Sequence, residues 1–284
     1  MRALYFLAFF CTSLLSMIDP SNAQPKWDML PPTPQLPAPV NSGYVNLKDA
    51  RIWFATFGDD RRETVLLLHG GGGNADYWGH LVRDLSRDHR VLVIDCRGQG
   101  RSTNEAKAIS YEQMATDALA VLDHLKIKTA SIVGWSDGAN IGFYLALRNP
   151  DRISALVAFA GNATTAGYQP LTHRAAFAAY SARTKEEYKR LSPNPERHEQ
   201  IHALLSVMWK TQPTLTSADL ASIMVRTVIF HADHDEAIRR SHAEEIARQV
   251  PSATFVLLNE VGHFAPLQDP AAFNAAVRAF LLQR

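Results

Sequence analysis

Short, wholly apolar segments that alternate with helical stretches are the feature that most constrains this chain. These segments occupy residues 65–68, 91–94, 131–133, 153–159, 228–230 and 254–258. Strands without polar residues are typical of burial on both faces, and helices between strands indicate parallel crossover connections. Two short runs within residues 44–57 precede them and predict an antiparallel hairpin. The sequence therefore predicts an α/β fold, a doubly wound and mostly parallel sheet with an antiparallel N-terminal hairpin.

One long interval, between residues 159 and 228, breaks this alternation. It has a helical composition and is divided by prolines, among them Pro170, Pro193 and Pro213. We expect a small helical cap inserted at about residues 162–222. Such a cap would cover the carboxyl edge of the sheet, where ligands bind in this fold class.

The first 23 residues have the pattern of a secretory signal peptide. Arg2 gives a positive start, an apolar run follows over residues 3–18, and Ser21 and Ala23 are small residues at the cleavage positions. The alternative is an uncleaved anchor, but the run is shorter than the roughly twenty apolar residues of a membrane span and contains polar residues. We expect cleavage after Ala23, export to the periplasm or medium, and no stable membrane insertion afterwards.

Proline dominates the segment that follows. Residues 24–40 are predicted to form an extended Pro-rich linker, with the folded domain over residues 41–284. After removal of the signal, Cys96 is the remaining cysteine, so the mature chain forms no internal disulfide.

The overall charge is nearly balanced, with 29 basic and 28 acidic residues and a formal net charge of +1. No global field would concentrate a polyanion near the protein, so nucleic acid is not expected as a partner. A small molecule is the expected substrate.

Residues 134–138 match the Gly-x-Ser-x-Gly pattern, with Ser136 at its centre. The pattern alone arises by chance, and a loop serine beside a glycine turn is the alternative. Its position between an apolar strand and a helix is more informative, because a sharp strand-to-helix turn presents a nucleophilic serine. Ser136 is therefore the candidate nucleophile.

A Gly-rich loop, residues 69–74, directly follows the first apolar strand. Glycines there allow backbone N–H groups to face a developing negative charge, and Asp137, after the nucleophile, is expected to supply a second N–H. A phosphate-binding loop is the alternative, but no Gly-Lys-Ser/Thr follows, and the dinucleotide-binding spacing is absent from the sequence.

An activated serine needs a base and an acid that orients it. His263 follows the last apolar strand, and Asp235 follows the strand before it. Asp233 lies closer to its strand and is expected to stabilise the turn. A metal site formed by the two histidines and two carboxylates of residues 231–235 is the alternative, but consecutive loop residues seldom point to one centre.

These motifs, in this order, resemble those of the α/β-hydrolase superfamily over residues 44–282. Residues 95–102 are similar to the Asp-x-Arg-Gly-x-Gly-x-Ser signature of its cap-bearing branch. The resemblance implies Ser136 as nucleophile, His263 as base and Asp235 as acid. It also implies an oxyanion hole formed by the N–H groups of Gly71 and Asp137. Ala232 stands where the family often has glycine.

The residues around Ser136 are similar to those of amino-acid ester hydrolases of the valacyclovirase type. The resemblance implies that the Asp137 carboxylate faces a substrate ammonium group, whereas the alternative is that it only complements the positive end of the following helix. Trp135 is a candidate substrate-binding residue. Cap side chains are candidates for the same pocket or for the core of the cap, with core expected for each singly: Tyr168, Phe177, Tyr180, Met208 and Trp209.

The predicted activity is that of a serine esterase, which cleaves a small-molecule carboxylic ester through an acyl-enzyme intermediate. This chemistry requires neither a cofactor nor a metal. Two alternatives remain: a triad-bearing lyase or cofactor-free oxygen-chemistry enzyme, and a non-catalytic ligand-binding protein on the same fold.

Overall fold

The computed structural model describes residues 24–170 and 175–283. The predicted signal peptide, residues 1–23, lies outside them. Within these ranges, no helix has the length and apolar character needed to cross a membrane.

A single mixed sheet of eight strands is the centre of the described structure. The strands are β1 Asn41–Asn46, β2 Arg51–Phe57, β3 Thr64–Leu68, β4 Arg90–Ile94, β5 Ala130–Trp135, β6 Ile153–Phe159, β7 Thr227–Ala232 and β8 Ala253–Leu258. Their spatial order is β1-β2-β4-β3-β5-β6-β7-β8. β2 pairs antiparallel with β1 and with β4, and every other pairing is parallel. The predicted fold class, with its antiparallel start, is confirmed.

Helices cover both faces of the sheet. They are α1 Gly79–Leu85, α2 Tyr111–His124, α3 Asp137–Arg148, α4 Ala175–Leu191, α5 His198–Thr211, α6 Ser217–Ala221, α7 Arg240–Gln249, α8 Ala265–Gln268 and α9 Pro270–Leu281. Residues of α2, α3 and α7 form one apolar core, and residues of α1, α8 and α9 form a second on the other face. This arrangement explains why the central strands are mostly apolar.

Burial differs between the central and the edge strands. All five residues of β3 are buried, because β3 lies between β4 and β5 with core on both faces. β8 is the last strand of the sheet, and it alternates between partly buried and exposed residues over its first four positions. The expectation that residues 254–258 are buried on both faces is therefore wrong, since an edge strand lacks the second neighbour and the full helical cover.

The long interval between β6 and β7 contains α4, α5 and α6. These helices lie in the interval for which the sequence predicts a cap. Residues 24–40 contain one short 3-10 helix, Lys26–Asp28, and otherwise have no regular secondary structure. They lie along the domain, and Leu30 and Leu36 pack against its core.

Candidate active site

The turn between β5 and α3 holds Ser136 in a strained conformation. Its φ is 55° and its ψ is −116°, a region that residues with a side chain rarely adopt. A Cβ atom at Gly134 would overlap the carbonyl oxygen of Gly138, and one at Gly138 would overlap that of Leu68. The two glycines therefore allow strand and helix to approach closely enough to form the turn.

His263 and Asp235 lie in contact at the same edge of the sheet, in the loops after β8 and β7. The imidazole Nδ1 is 3.1 Å from both carboxylate oxygens of Asp235, and both side chains are buried. Asp235 Oδ1 also accepts hydrogen bonds from the N–H groups of Ala237 and Ile238, at 2.9 and 2.8 Å. Because a carboxylate only accepts, Nδ1 carries the proton of this contact and Nε2 is left for proton exchange.

The electrostatic surroundings of His263 favour its protonated form. Burial alone would lower the pKa of His263, but the negative charges of Asp235, Glu236 and Asp137 outweigh burial and raise it above its ordinary value. Burial alone would also raise the pKa of Asp235, but its contact with His263 holds that pKa below its ordinary value. The pair is thus arranged to stabilise an imidazolium.

Two further groups fix the backbone of His263. Its N–H donates to Glu236 Oε2 at 2.9 Å, and its carbonyl oxygen accepts from Trp135 Nε1 at 2.8 Å. Trp135, predicted to bind substrate, borders the cavity but is almost fully buried among aromatic side chains. Its indole therefore holds the backbone of His263 in place.

Ser136 and His263 line one cavity of about 1090 Å³ between the sheet edge and the cap. Within the part of the chain that the structure describes, the Ser136 hydroxyl forms no hydrogen bond with the imidazole. Catalytic hydrogen bonds are often long in the absence of substrate, so this geometry is compatible with a base that acts on Ser136.

The Gly-rich loop after β3 lies against Ser136. Gly72 N–H donates to Gln99 Oε1 at 2.6 Å, Gly73 N–H donates to the Gly70 carbonyl at 3.1 Å, and His69 Nε2 accepts from Cys96 N–H at 2.9 Å. The N–H groups of Gly71 and Asp137 donate to no group among residues 24–170 and 175–283. Gly71 and Asp137 both line the cavity, and no described group competes for these two predicted oxyanion donors.

The Asp137 carboxylate is buried beside Gly71. Oδ1 accepts from the Tyr111 hydroxyl at 2.8 Å, and Oδ2 accepts from Trp209 Nε1 at 2.8 Å. Burial raises the pKa of Asp137, and these two hydrogen bonds counteract part of that rise. The carboxylate thus joins helix α5, through Trp209, to the residue after Ser136.

Cap side chains form much of the cavity wall. The aromatic residues among them are Tyr168, Phe177, Tyr180, Tyr188 and Trp209. Met208 is buried in the core beside α5 and does not line the cavity. The expectation of core positions agrees with Met208 and with Tyr180, which is buried in the core although it also borders the cavity. Tyr168, Phe177 and Trp209 are only partly buried and line the cavity.

The other polar residues of the 231–235 segment, which ends β7 and begins the loop that carries Asp235 (the acid loop), point in different directions. Asp233 accepts hydrogen bonds from the N–H groups of Glu260 and Val261, so it stabilises the turn. His234 stacks on Trp27, and His231 is buried beside Phe255. Among the described residues, no group of three or more His, Cys, Asp or Glu side chains is arranged to hold a metal ion.

Several contacts that support the site did not stand out in the sequence, although Trp209 itself is one of the cap candidates named there. Tyr111 and Trp209 hold Asp137, Glu236 holds His263, and Gln99 holds the Gly-rich loop. Gln99 belongs to the signature at residues 95–102, so this motif could have pointed to Gln99 as a residue near the site. The other three contacts join segments far apart in the chain, and no local pattern marks them.

Known proteins resemble this chain in both sequence and structure. A family model described as "alpha/beta hydrolase fold" matches residues 63–177. The protein named "Putative carbamate hydrolase RutD" of Pseudomonas syringae pv. syringae is 30% identical over 251 residues, which cover 77% of this chain and 93% of that protein.

Two solved structures show the same architecture. The enol-lactonase of Burkholderia xenovorans LB400 superposes with a TM-score of 0.68 at 22% identity, covering 85% of this chain and all of that one. Est816, described as an N-acyl homoserine lactone degrading enzyme, superposes with a TM-score of 0.65 at 25% identity, covering 84% of this chain and all of that one.

Proposed function

The chain belongs to the α/β-hydrolase family, and from this premise we propose that it is a serine hydrolase that cleaves carboxylic esters. The observation that carries the proposal is the buried His263–Asp235 pair, whose histidine lines the same cavity as Ser136 on its strained turn. Strain of this kind persists where the surrounding structure enforces it, and it is concentrated at functional sites.

The proposed reaction is a two-step acyl transfer. Ser136 Oγ attacks the ester carbonyl carbon while its proton passes to His263 Nε2. The oxyanion of the tetrahedral intermediate accepts hydrogen bonds from the N–H groups of Gly71 and Asp137. The ester C–O bond then breaks, and His263 returns the proton to the departing alcohol.

Hydrolysis of the acyl-enzyme repeats these roles. A water molecule gives a proton to His263 and its oxygen attacks the acyl carbon, after which Ser136 regains the proton as the carboxylic acid leaves. The negative charge of Asp235 stabilises the imidazolium in both steps. Each step uses only this chain's side chains, its backbone N–H groups and water.

The walls of the cavity favour an apolar ester. Phe177, Tyr180 and Leu205 lie on the cap side, and they would contact the acyl or the alcohol group. A lactone is a cyclic ester, so the similarity to the lactone-degrading Est816 is in line with this substrate class. Carbamate is a second candidate, favoured by the relative that is 30% identical and named for carbamate hydrolysis.

The test is a substrate panel with Ser136→Ala and a matched control. Linear p-nitrophenyl esters, a homoserine lactone and an aryl carbamate would be compared. We expect ester hydrolysis that Ser136→Ala abolishes and that Ser181→Ala, a serine of the same cavity, leaves within about twofold. Absence of hydrolysis of every ester, or a Ser136→Ala variant as active as the parent, would contradict the proposal and favour a lyase or a ligand-binding role.

A further inference from the structure

The N-terminal strap, residues 24–40, contacts the loops that carry the acid and the base. The sequence predicts this Pro-rich segment as a linker, yet its backbone and side chains contact four separate parts of the domain. Gly79 of α1 lies against the backbone of Gln35, and Arg83 of the same helix donates to the Gln35 carbonyl at 2.6 Å. The strap is therefore bound along the domain rather than held only at its end.

Trp27 meets the acid loop directly. Its ring stacks on His234 with centroids 3.8 Å apart and an angle of 11° between the planes. His234 immediately precedes Asp235, and its N–H donates to the Val261 carbonyl at 3.1 Å. Stacking on His234 thus restrains the residue next to the acid and its link to the loop of His263.

The carbonyl of Trp27 is also linked, through the side chain of Gln268, to the loop that carries His263. This loop, residues 259–264 between β8 and α8, is the base loop. Gln268 Nε2 donates to the carbonyl oxygens of Trp27 and Met29, at 3.1 and 2.9 Å. Gln268 Oε1 accepts from Gly262 N–H at 2.7 Å, and Gly262 immediately precedes His263. A side-chain amide thereby joins the strap to the residue next to the base.

The next residues of the strap bind the cap. Arg183 of α4 donates to the carbonyls of Pro31 and Leu30, at 2.6 and 3.0 Å. Thr33 Oγ1 donates to Glu187 at 2.6 Å, and the other oxygen of Glu187 accepts from Nδ2 of Asn74, the last residue of the Gly-rich loop, at 2.9 Å. One segment therefore touches the acid loop, the base loop and the cap.

We infer that Trp27 is a positioning residue: through His234 and Gln268, it keeps the side chains of Asp235 and His263 aligned with each other. The inference rests on the proposed esterase function, because it assigns Trp27 to the alignment of the proposed acid and base. Trp27 is not a catalytic residue, since its ring lies on His234 and does not line the cavity. Small displacements of catalytic groups cost large factors in rate, so an anchor outside the cavity controls turnover.

The test compares the parent with full-length Trp27→Ala, Trp27→Phe and Lys26→Ala, using an ester that the parent hydrolyses. For Trp27→Ala we expect kcat to fall about tenfold with KM within about twofold, because alignment is lost and the cavity is kept. Trp27→Phe retains a stacking ring and should recover most of the activity. Lys26→Ala removes an exposed ion pair with Asp269 and should match the parent.

A pH profile separates alignment from general destabilisation. Asp235, Glu236 and Asp137 face His263 and raise its pKa, and His231 of β7 interacts with both members of the pair. If Trp27→Ala loosens the Asp235 contact, the acidic limb of its kcat/KM profile moves to lower pH. A loss of thermal stability with kcat and pH profile unchanged would overturn the inference.

Gln268→Glu tests the same link from the domain side, including the case in which Trp27→Ala does not fold. The substitution keeps an acceptor for Gly262 N–H and removes the donor to the Trp27 and Met29 carbonyls. We expect the same fall in kcat, whereas the pH profile of this variant is not diagnostic, because the new carboxylate next to the loop of His263 would itself raise the pKa of His263. A folded Gln268→Glu variant with the kcat of the parent would contradict the inference, whereas a parent without ester hydrolysis would contradict the proposed function instead.

Discussion

At the scale of single residues, the choice between two neighbouring carboxylates determines the proposed mechanism. Asp235 contacts the imidazole, whereas Asp233 accepts hydrogen bonds from backbone N–H groups of the base loop. We predict that Asp235→Asn lowers kcat about 10³-fold, because the amide can neither stabilise the imidazolium nor enforce the tautomer. Steady-state kinetics of Asp235→Asn and Asp233→Asn, each checked for folding, test this. A larger loss for Asp233→Asn would reverse the assignment.

His263 makes a second prediction at this scale. Its pKa is raised, and the neutral imidazole is the form that accepts the Ser136 proton, so activity falls as pH drops through the raised pKa. The acidic limb of kcat/KM should therefore have its midpoint above about 6.5, the ordinary pKa of histidine. Initial rates at constant ionic strength across pH 5 to 9 would measure it. A midpoint below the ordinary value would mean that burial outweighs the three carboxylates.

The candidate nucleophile, base and acid were predictable because each lies in the turn or loop that follows an apolar strand. Parallel strands bring their carboxyl ends to one edge, so a local signal in the sequence indicates a shared location. Asp137 shows the limit of such reasoning. Its two hydrogen-bond partners, Tyr111 and Trp209, come from α2 and the cap, and only the folded chain brings them together.

At the scale of elements, the close approach of β5, α3 and β3 makes the Ser136 turn sensitive to one methyl group. Gly138→Ala places a Cβ against the Leu68 carbonyl, and we predict a loss of about 3 kcal/mol in the free energy of unfolding. Gly142→Ala, on the same helix, meets only the end of the Leu156 side chain, and the helix propensity of alanine offsets part of that contact. Urea unfolding of both variants tests this prediction, and an equal or smaller loss for Gly138→Ala would contradict it.

The strand positions could be predicted from the apolar segments, but the exposure of β8 could not. Its composition matches that of the buried strands, and only the strand order makes it an edge. The cap interval was predictable from its length and its prolines. The direction in which Phe177 and Tyr180 point was not, since it depends on how α4 lies over the sheet edge.

At the scale of the whole molecule, the carboxyl edge of the sheet and the cap border a cavity of about 1090 Å³. This volume is larger than the attack of Ser136 on a carbonyl group requires. Ile201, Leu205 and Trp209 line it on α5. We predict that kcat/KM rises roughly fourfold for each methylene added between acetyl and octanoyl esters, because each buried methylene contributes about 0.8 kcal/mol. A p-nitrophenyl ester series below the critical micelle concentration tests this. A fall in kcat/KM beyond the acetyl ester would contradict an acyl group in this cavity.

The binding of the N-terminal strap is also a property of the whole molecule. Its proline content predicts an extended chain and carries no information on what that chain contacts. The stacking of Trp27 on His234 joins residues more than two hundred positions apart, and the structure was needed to bring them together.

The central claim is that Ser136 is the nucleophile, and covalent labelling tests it most directly. A fluorophosphonate forms a stable phosphonyl ester with an activated serine and releases fluoride. Peptide mapping by mass spectrometry should place a single adduct on Ser136, with none in the Ser136→Ala variant and slower labelling in His263→Ala. An adduct on another residue, or a Ser136→Ala variant labelled at the rate of the parent, would contradict the account.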